Sequence, residues 1–444
     1  MNILIITPFY KQDRNIASVR WTSIAQRLST RHNVIVVTQP LDDMDQRASL
    51  SNEDGILVAR VNQKTRYEKI AVKHFGGATG EELATADAVD LATQVEADTV
   101  TRRIKNRVLY LSMRLKAREY ARQIVKDVIP QGMNVDVVIS SACPFIEMLF
   151  GYEAKRLLGC KWISDFRDWP YRNPEETSDD VQIMRGLLRR RLAKSDAVTV
   201  VTRMMRDLAS DEALYPYERV FTITNGYSLE DRALLSANDD VRLNHRGSEK
   251  LRLVHTGSLY GGKCKSDMLF CAIRMLKDKE LCHKIVFECA GGNNSSLIAA
   301  AEKYDVGDVV VDRGFVSRQK ALEMQASADC LVSIIVNNAG GGFNGKLLEY
   351  MLWEKPIINI AVGEARFGEA TQVVRELRMG IAVEEENWDQ DVTALAEYLE
   401  LQIRRKLRGQ KLLFTPDCEG IARYNYDNIA RSFESLCQSI VTQA

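Results

Sequence analysis

The chain has 444 residues, more than one ordinary core accommodates; at roughly 100–200 residues per domain, two or three domains are expected. Apolar residues make up 45% and charged residues 27%, a balance that excludes a disordered chain. Basic and acidic side chains number 60 each, so no global field selects nucleic acid, membrane or an acidic substrate, and any such preference has to come from a local patch.

In chain order, residues 2–7 (NILIIT) form an apolar, β-branched run that stops at Pro8, as a parallel strand buried on both faces does. VRWTSIAQRLS then reads as a helix with Val19, Ile24 and Leu28 on one side and Arg20 near its start, and VIVVT at 34–38 completes a βαβ unit. Further strands are predicted at 137–140, 160–166, 197–202 and 220–226. Residues 229–250 are polar and poorly periodic, which marks a linker, drawn at 231–250. A second cycle follows, with strands at 251–257, 284–292, 308–314, 329–335 and 355–361 and helices at 265–279, 295–304, 317–327, 345–353 and 365–378. Strands alternating with helices predict an α/β chain of two Rossmann-like domains facing a cleft, the first over 1–230 and the second over 251–423, with a last helix over 424–444.

Residues 62–130 break this rhythm and read as a helical insertion in the N-terminal domain. Between 102 and 126 it carries nine basic residues against one acid, Glu119, with Leu109, Tyr110, Leu111, Met113 and Leu115 interleaved. Such a helix can lie on an anionic bilayer; it can equally be a solvated face that packs its apolar side on the domain. Nine cysteines without a CxxC pair read as buried thiols in a reducing compartment, and five histidines without HxxxH spacing offer no metal site. No apolar run reaches the ~18–20 residues that span a bilayer, and MNILIITPFY reads as a first strand rather than a signal peptide, so a cytoplasmic location is expected.

In open α/β sheets ligands bind beyond the carboxyl ends of the strands, which directs attention to four loops. Asn225-Gly226 is a tight turn, plain in itself. After LRLVHTG comes SLYGGKCKSD, where Gly257, Gly261 and Gly262 free backbone amides and Lys263 and Lys265 add charge just before a helix; this suits a phosphate, or is a flexible surface loop. No GxxxxGK[ST] or GxGxxG motif occurs. After DCLVSII, Gly340, Gly341 and Gly342 precede Phe343, Asn344 and Gly345 at a helix start, with Lys346 on the first turn and Glu349 on the same face; the rival reading is a glycine hinge with a surface ion pair. After CKWISDF, Asp165, Arg167, Asp168 and Trp169 make a charged cluster with an aromatic wall, suited to sugar hydroxyls or proton transfer, or to a structural ion pair.

Taken together these segments resemble the GT-B glycosyltransferases, in particular the retaining, nucleotide-sugar-dependent group called family 4, over nearly the whole length apart from 62–130. GGFNGKLLE at 341–349 is similar to the family's E-G-F-G-x-x-x-x-E donor segment; Glu349 falls on the second glutamate, which holds the donor ribose, while Gly341 falls on the first. Lys346-Leu347-Leu348-Glu349-Tyr350 with Lys355-Pro356 fits a K-x-x-E-Y variant seen in members acting on polysaccharide precursors, Glu354 standing where that variant has glycine. HTGSLYGGK resembles the G-R-L-x-x-x-K diphosphate loop, with Lys263 on the lysine and Ser258 on the arginine. RGFVSRQKALEMQASADCLVSI resembles a strand–helix–strand unit in which Gly314, Phe315 and Val316 border the base, and ISDFRDWP resembles a D-x-R-D-x-W/P motif of bacterial surface-polysaccharide transferases.

The resemblance implies a GT-B fold whose last helix packs back on the N-terminal domain, and transfer of a sugar from a nucleotide-diphosphate sugar to a hydroxyl of a glycan or lipid-linked acceptor, with retention. Donor contacts would come from Gly257, Ser258, Tyr260, Lys263, Gly314, Phe315, Val316, Phe343, Asn344, Gly345, Lys346 and Glu349; acceptor contacts from Ser18, Arg20, Asp165, Arg167 and Asp168. Asp165, Arg167, Asp168, Lys263 and Lys346 would carry catalysis, with no metal and no cofactor. A sugar-nucleotide 2-epimerase of the same fold and a non-catalytic binding or scaffold protein are the alternatives. The expected setting is the cytoplasm, at the inner face of the plasma membrane if 102–126 contacts anionic lipid; no nucleic-acid partner is expected.

Overall fold

The computed structural model describes residues 1–11, 16–40, 49–62, 99–142, 146–168, 186, 189–211, 215–236, 249–259, 265–292, 294–336, 343, 345–363 and 368–442. Two compact units result: Met1–Thr224 with Ile429–Ala444, and Asn225–Asn428. The chain thus changes unit at Thr224, ahead of the predicted linker, and Leu229–Ser236 is a helix of the second unit.

In the first unit, β1 (Asn2–Ile6), β2 (Asn33–Thr38), β3 (Ser49–Glu53), β4 (Ile56–Arg60), β5 (Val137–Ala142), β6 (Lys161–Phe166), β7 (Ala197–Val200) and β8 (Val220–Thr222) form one sheet of order β3-β4-β2-β1-β5-β6-β7-β8. All described pairings are parallel except β3 with β4, a hairpin absent from the sequence-based reading. Its Asp54-Gly55 turn has φ of 54° and 80°, as a two-residue hairpin loop matching strand twist requires. β5 and β7 are buried throughout and β1 from Ile3 onward, as strands covered on both faces are.

The described part of the expected insertion is one helix, Thr99–Asp127, lying in sequence between the parallel strands β4 and β5 as a crossover helix. It buries Ala117, Tyr120, Ala121 and Ile124, followed by the buried Val128 just past its end, with the Tyr120 ring 4.3 Å from that of Phe150 on helix Ile146–Leu158. Arg107, Arg114, Arg118 and Arg122 are exposed, as is Leu111 at 53%; spacings of four, three, four and four place all five on one stripe away from the buried face. None of the four arginines has an acidic partner among the described residues.

The last helix, Tyr426–Thr442, joins the first unit from Ile429 onward. Phe433 is buried with its ring 5.2 Å from Trp21 on helix Ile16–Ser29, and Glu434 accepts from Arg31 at 2.5 Å and pairs with His32 at 2.9 Å.

In the second unit β9 (Leu251–Thr256), β10 (Ile285–Ala290), β11 (Val310–Asp312), β12 (Cys330–Val336), β13 (Ile357–Val362) and β14 (Gly380–Glu384) form a wholly parallel sheet of order β11-β10-β9-β12-β13-β14. One face packs Leu253, Cys330, Val332 and Ile358 against helices Asp267–Met275 and Trp388–Leu407; the other packs Val254, Leu331 and Ile357 against helices Arg318–Ser327 and Gly345–Met351. Among the described residues no helix is long and apolar enough to cross a membrane, and no group of three or more His, Cys, Asp or Glu side chains is placed to hold a metal.

Candidate functional site

Strand order in the second sheet reverses between β9 and β12, neighbours that are far apart in sequence. Such a switch point opens a crevice at the strands' carboxyl ends. The two loops leaving there are the two glycine-rich segments singled out in the sequence. Gly257, directly after β9, has φ of 121°, and a Cβ on it would stand 2.1 Å from Lys346 Cε. Only glycine permits both the backbone angle and the close passage of the lysine. Lys346, on helix Gly345–Met351, donates through Nζ to the Ser258 carbonyl at 2.8 Å. Gly291, with φ of 148°, seats beneath Gly257, where an added Cβ would meet the Gly257 carbonyl oxygen at 2.4 Å. The Gly291 amide donates to the Gly314 carbonyl at 2.9 Å, which brings the loop after β11 to the same bed.

Glu349 follows Lys346 by one turn, and both its oxygens are engaged. Oε1 accepts from Gln325 Nε2 at 2.6 Å and Oε2 from Arg318 Nη1 at 2.9 Å, while Arg318 Nη2 donates to Asp231 at 2.6 Å. Burial raises the Asp231 carboxyl above its ordinary range although Arg318 beside it pulls the other way. Gln325 is fully buried; it also donates to Thr256 Oγ1 at 2.8 Å and accepts from the Trp353 indole at 2.6 Å. The Tyr350 hydroxyl accepts from the Thr256 amide at 2.9 Å. This polar network fixes the helix carrying Lys346 and Glu349 to the end of β9. Below it His255 is wholly buried, its Nδ1–H donating to the Val332 carbonyl at 2.9 Å. Burial, then the nearby Lys346 charge, pushes its pKa down to about 4, so the ring is neutral.

Phe315 stands 89% exposed beside Gly314, and Val316 is partly buried against the core. Phe343, expected as a donor contact, is buried and packed with Tyr424 at a ring separation of 5.9 Å. Tyr260, Lys263 and Asn344, along with Gly341, lie outside the described residues. Lys265 is exposed, with Glu385 at 3.8 Å. Glu354 has φ of 52°, the left-handed conformation that explains why glycine suits this position in the K-x-x-E-Y variant. Arg318, Gln325 and Asp231 escaped the sequence reading because no local pattern distinguishes them. The Gly291-Gly292 pair at a strand end was the one available signal for the lower half of the bed.

In the first unit Arg20 and Asp165, expected to contact an acceptor, are 2% and 0% exposed and pair with each other at 2.9 Å. Asp165 also accepts from Thr199 at 2.8 Å, and Arg20 donates to the carbonyls of Ile223 and Thr224 at 2.9 and 2.6 Å. Both are therefore internal supports rather than ligand contacts, and Ser18 is likewise buried. Arg167 is partly exposed with its guanidinium 5.6 Å from the centre of the Phe9 ring, and Asp168 is exposed beside it at the carboxyl end of β6.

Residues 250–401 match the family described as glycosyl transferases group 1. The second unit thus carries a glycosyltransferase domain. Solved structures similar to the whole chain include the sucrose-phosphate synthase of Thermosynechococcus elongatus, with 12% identity, a TM-score of 0.64 and 100% of each chain covered. The E. coli structure described as trehalose-6-phosphate bound with UDP-2-fluoro glucose has 12% identity and a TM-score of 0.65, over 98% of this chain and 99% of that one. Anabaena HepE in complex with UDP has 13% identity and a TM-score of 0.58, over 99% and 100%. These likenesses give the chain a GT-B fold. No curated protein sequence matches the chain.

Proposed function

We propose that this glycosyltransferase moves a sugar from a nucleoside-diphosphate sugar to a hydroxyl of a glycan or lipid-linked acceptor, with retention, in surface-polysaccharide or glycoconjugate assembly. The observation that carries the reading is Lys346 lying across Gly257, with its ammonium at the Ser258 carbonyl, at the switch point of the second sheet. A positive charge beside close-approach backbone suits a pyrophosphate. The presence of UDP or a UDP-sugar in two structures of the same fold supports it.

In this reading Lys346 and Lys263 stabilise charge as the nucleoside diphosphate departs, an effect larger in the transition state than in the bound substrate. Glu349 holds the ribose hydroxyls, and the exposed Phe315 ring stacks on the base. The anomeric carbon passes through an oxocarbenium-like state attacked from the leaving-group side, and the departing phosphate takes the acceptor's proton. Arg167 and Asp168 orient the acceptor, and no cofactor is invoked. The arginine stripe at 107–122 supports peripheral contact with an anionic membrane at the cytoplasmic face, where a lipid-linked acceptor resides.

The test is nucleoside diphosphate release from a panel of nucleotide sugars, with and without acceptor extracts, for the wild type and Lys346→Ala. Release that needs acceptor and is lost in the variant supports transfer. Epimer formation without acceptor assigns the isomerase instead, and binding without turnover assigns the scaffold.

A further inference from the structure

We propose that Arg318, anchored by Asp231, is a positioning residue that sets the transferase's preference for a ribose diol in the donor nucleotide. The inference rests on the donor-site reading above and adds to it the device that orients Glu349.

Glu349 is held from two sides by different kinds of donor. Gln325 holds Oε1 from within the core, and its amide cannot turn over: both N–H groups meet acceptors (Glu349 and Thr256) while its oxygen meets the Trp353 indole N–H. Arg318 holds Oε2 from the solvent side. Its own position is fixed by Asp231 on helix Leu229–Ser236, so three separate helices meet at one guanidinium. A guanidinium presents its donors in a rigid planar fork; bridging two carboxylates through Nη1 and Nη2 uses that geometry and sets the Glu349 carboxylate plane.

A carboxylate accepts about four hydrogen bonds. Among the described residues each Glu349 oxygen has one partner, which leaves one acceptor direction per oxygen. Two parallel acceptors on one fixed plane match two vicinal hydroxyls. Without Arg318 the carboxylate turns about its last bond, and the pair of acceptors is no longer aligned before the ligand arrives. A second acid at Asp231 also keeps Arg318 from neutralising Glu349 outright, since one cation then serves two anions.

The test titrates the full chain with matched pairs of nucleoside diphosphates, UDP with dUDP, GDP with dGDP and ADP with dADP, by calorimetry. The wild type should prefer the ribo form by roughly tenfold or more, the scale of one hydrogen bond to a charged group. Arg318→Ala should bring that ratio close to one, weakening the ribo form while leaving the deoxy form as it was. Arg318→Lys should restore only part of the ratio, because an ammonium lacks the fork. Glu349→Gln should lower the ratio too, with no further change in the double variant. Lys346→Ala should weaken both forms of each pair equally. A chain that binds none of the diphosphates overturns the donor-site reading itself. Binding with a ribo-to-deoxy ratio unchanged by Arg318→Ala leaves that reading standing and overturns this inference.

Discussion

The ammonium of Lys346 sits 2.8 Å from the carbonyl oxygen of Ser258, 88 residues away along the chain. That contact joins the turn after β9 to the helix that follows β12 and places a positive charge between them. Lys346→Ala should lower kcat by roughly 10²–10³, the range for removing one stabiliser of developing charge, and Lys263→Ala should do the same. Steady-state rates with a measured donor check both; unchanged turnover in either removes that lysine from the mechanism.

Gly257 should tolerate no side chain. Gly257→Ala adds a methyl where Lys346 Cε already lies, at a φ of 121° that costs an L-residue about 1–3 kcal/mol. Thermal unfolding should show that loss, and the displaced lysine should reduce turnover as strongly as Lys346→Ala does.

The Arg20–Asp165 pair is a buried support, so removing one partner strands a charge. Arg20→Met or Asp165→Asn should each destabilise by about 3–5 kcal/mol in urea unfolding. The double variant Arg20→Met with Asp165→Leu should cost less than the two single losses added together.

His255 makes stability depend on pH. Its folded pKa of about 4 lies below the ordinary 6.5, so between these values the unfolded chain binds a proton that the folded chain does not. The contribution is complete above pH 6.5 and is lost as pH falls toward 4, on the order of 3 kcal/mol in all. Chemical unfolding across that window should show His255→Asn losing less stability than the wild type; parallel curves would remove the assignment.

The arginine stripe should draw the chain to anionic vesicles and leave neutral ones alone. Replacing Arg107, Arg114, Arg118 and Arg122 by glutamine should cut binding by roughly a hundredfold or more, at about 1 kcal/mol for each charge near the surface. Flotation of the two proteins reads this directly, and equal partitioning would end the idea.

Buried parallel strands such as NILII and CLVSIIV were legible because burial on both faces leaves each run apolar at all but one position. The β3–β4 hairpin was not, although Asp54-Gly55 signals it, because SLSNE has largely exposed side chains and carries no apolar pattern. The glycines and Lys346 could be picked out as residue types in loops. Their meeting could not, since it depends on β12 lying next to β9 rather than on any spacing. The same holds for Asp165: a carboxylate at a strand end reads alike whether it faces a ligand or, as here, an arginine from helix Ile16–Ser29. The motif position of Phe343 likewise says nothing of the Tyr424 ring packed against it.

The 88 residues between Ser258 and Lys346 also set a schedule. At synthesis rates of 5–20 residues per second, roughly 4–18 s separate the emergence of the first loop from that of the lysine meant to cross it. Until Cys330–Val336 is made, β9 has no neighbour on its β12 side, and a nascent chain halted before residue 346 holds the glycine turn without the lysine that crosses it.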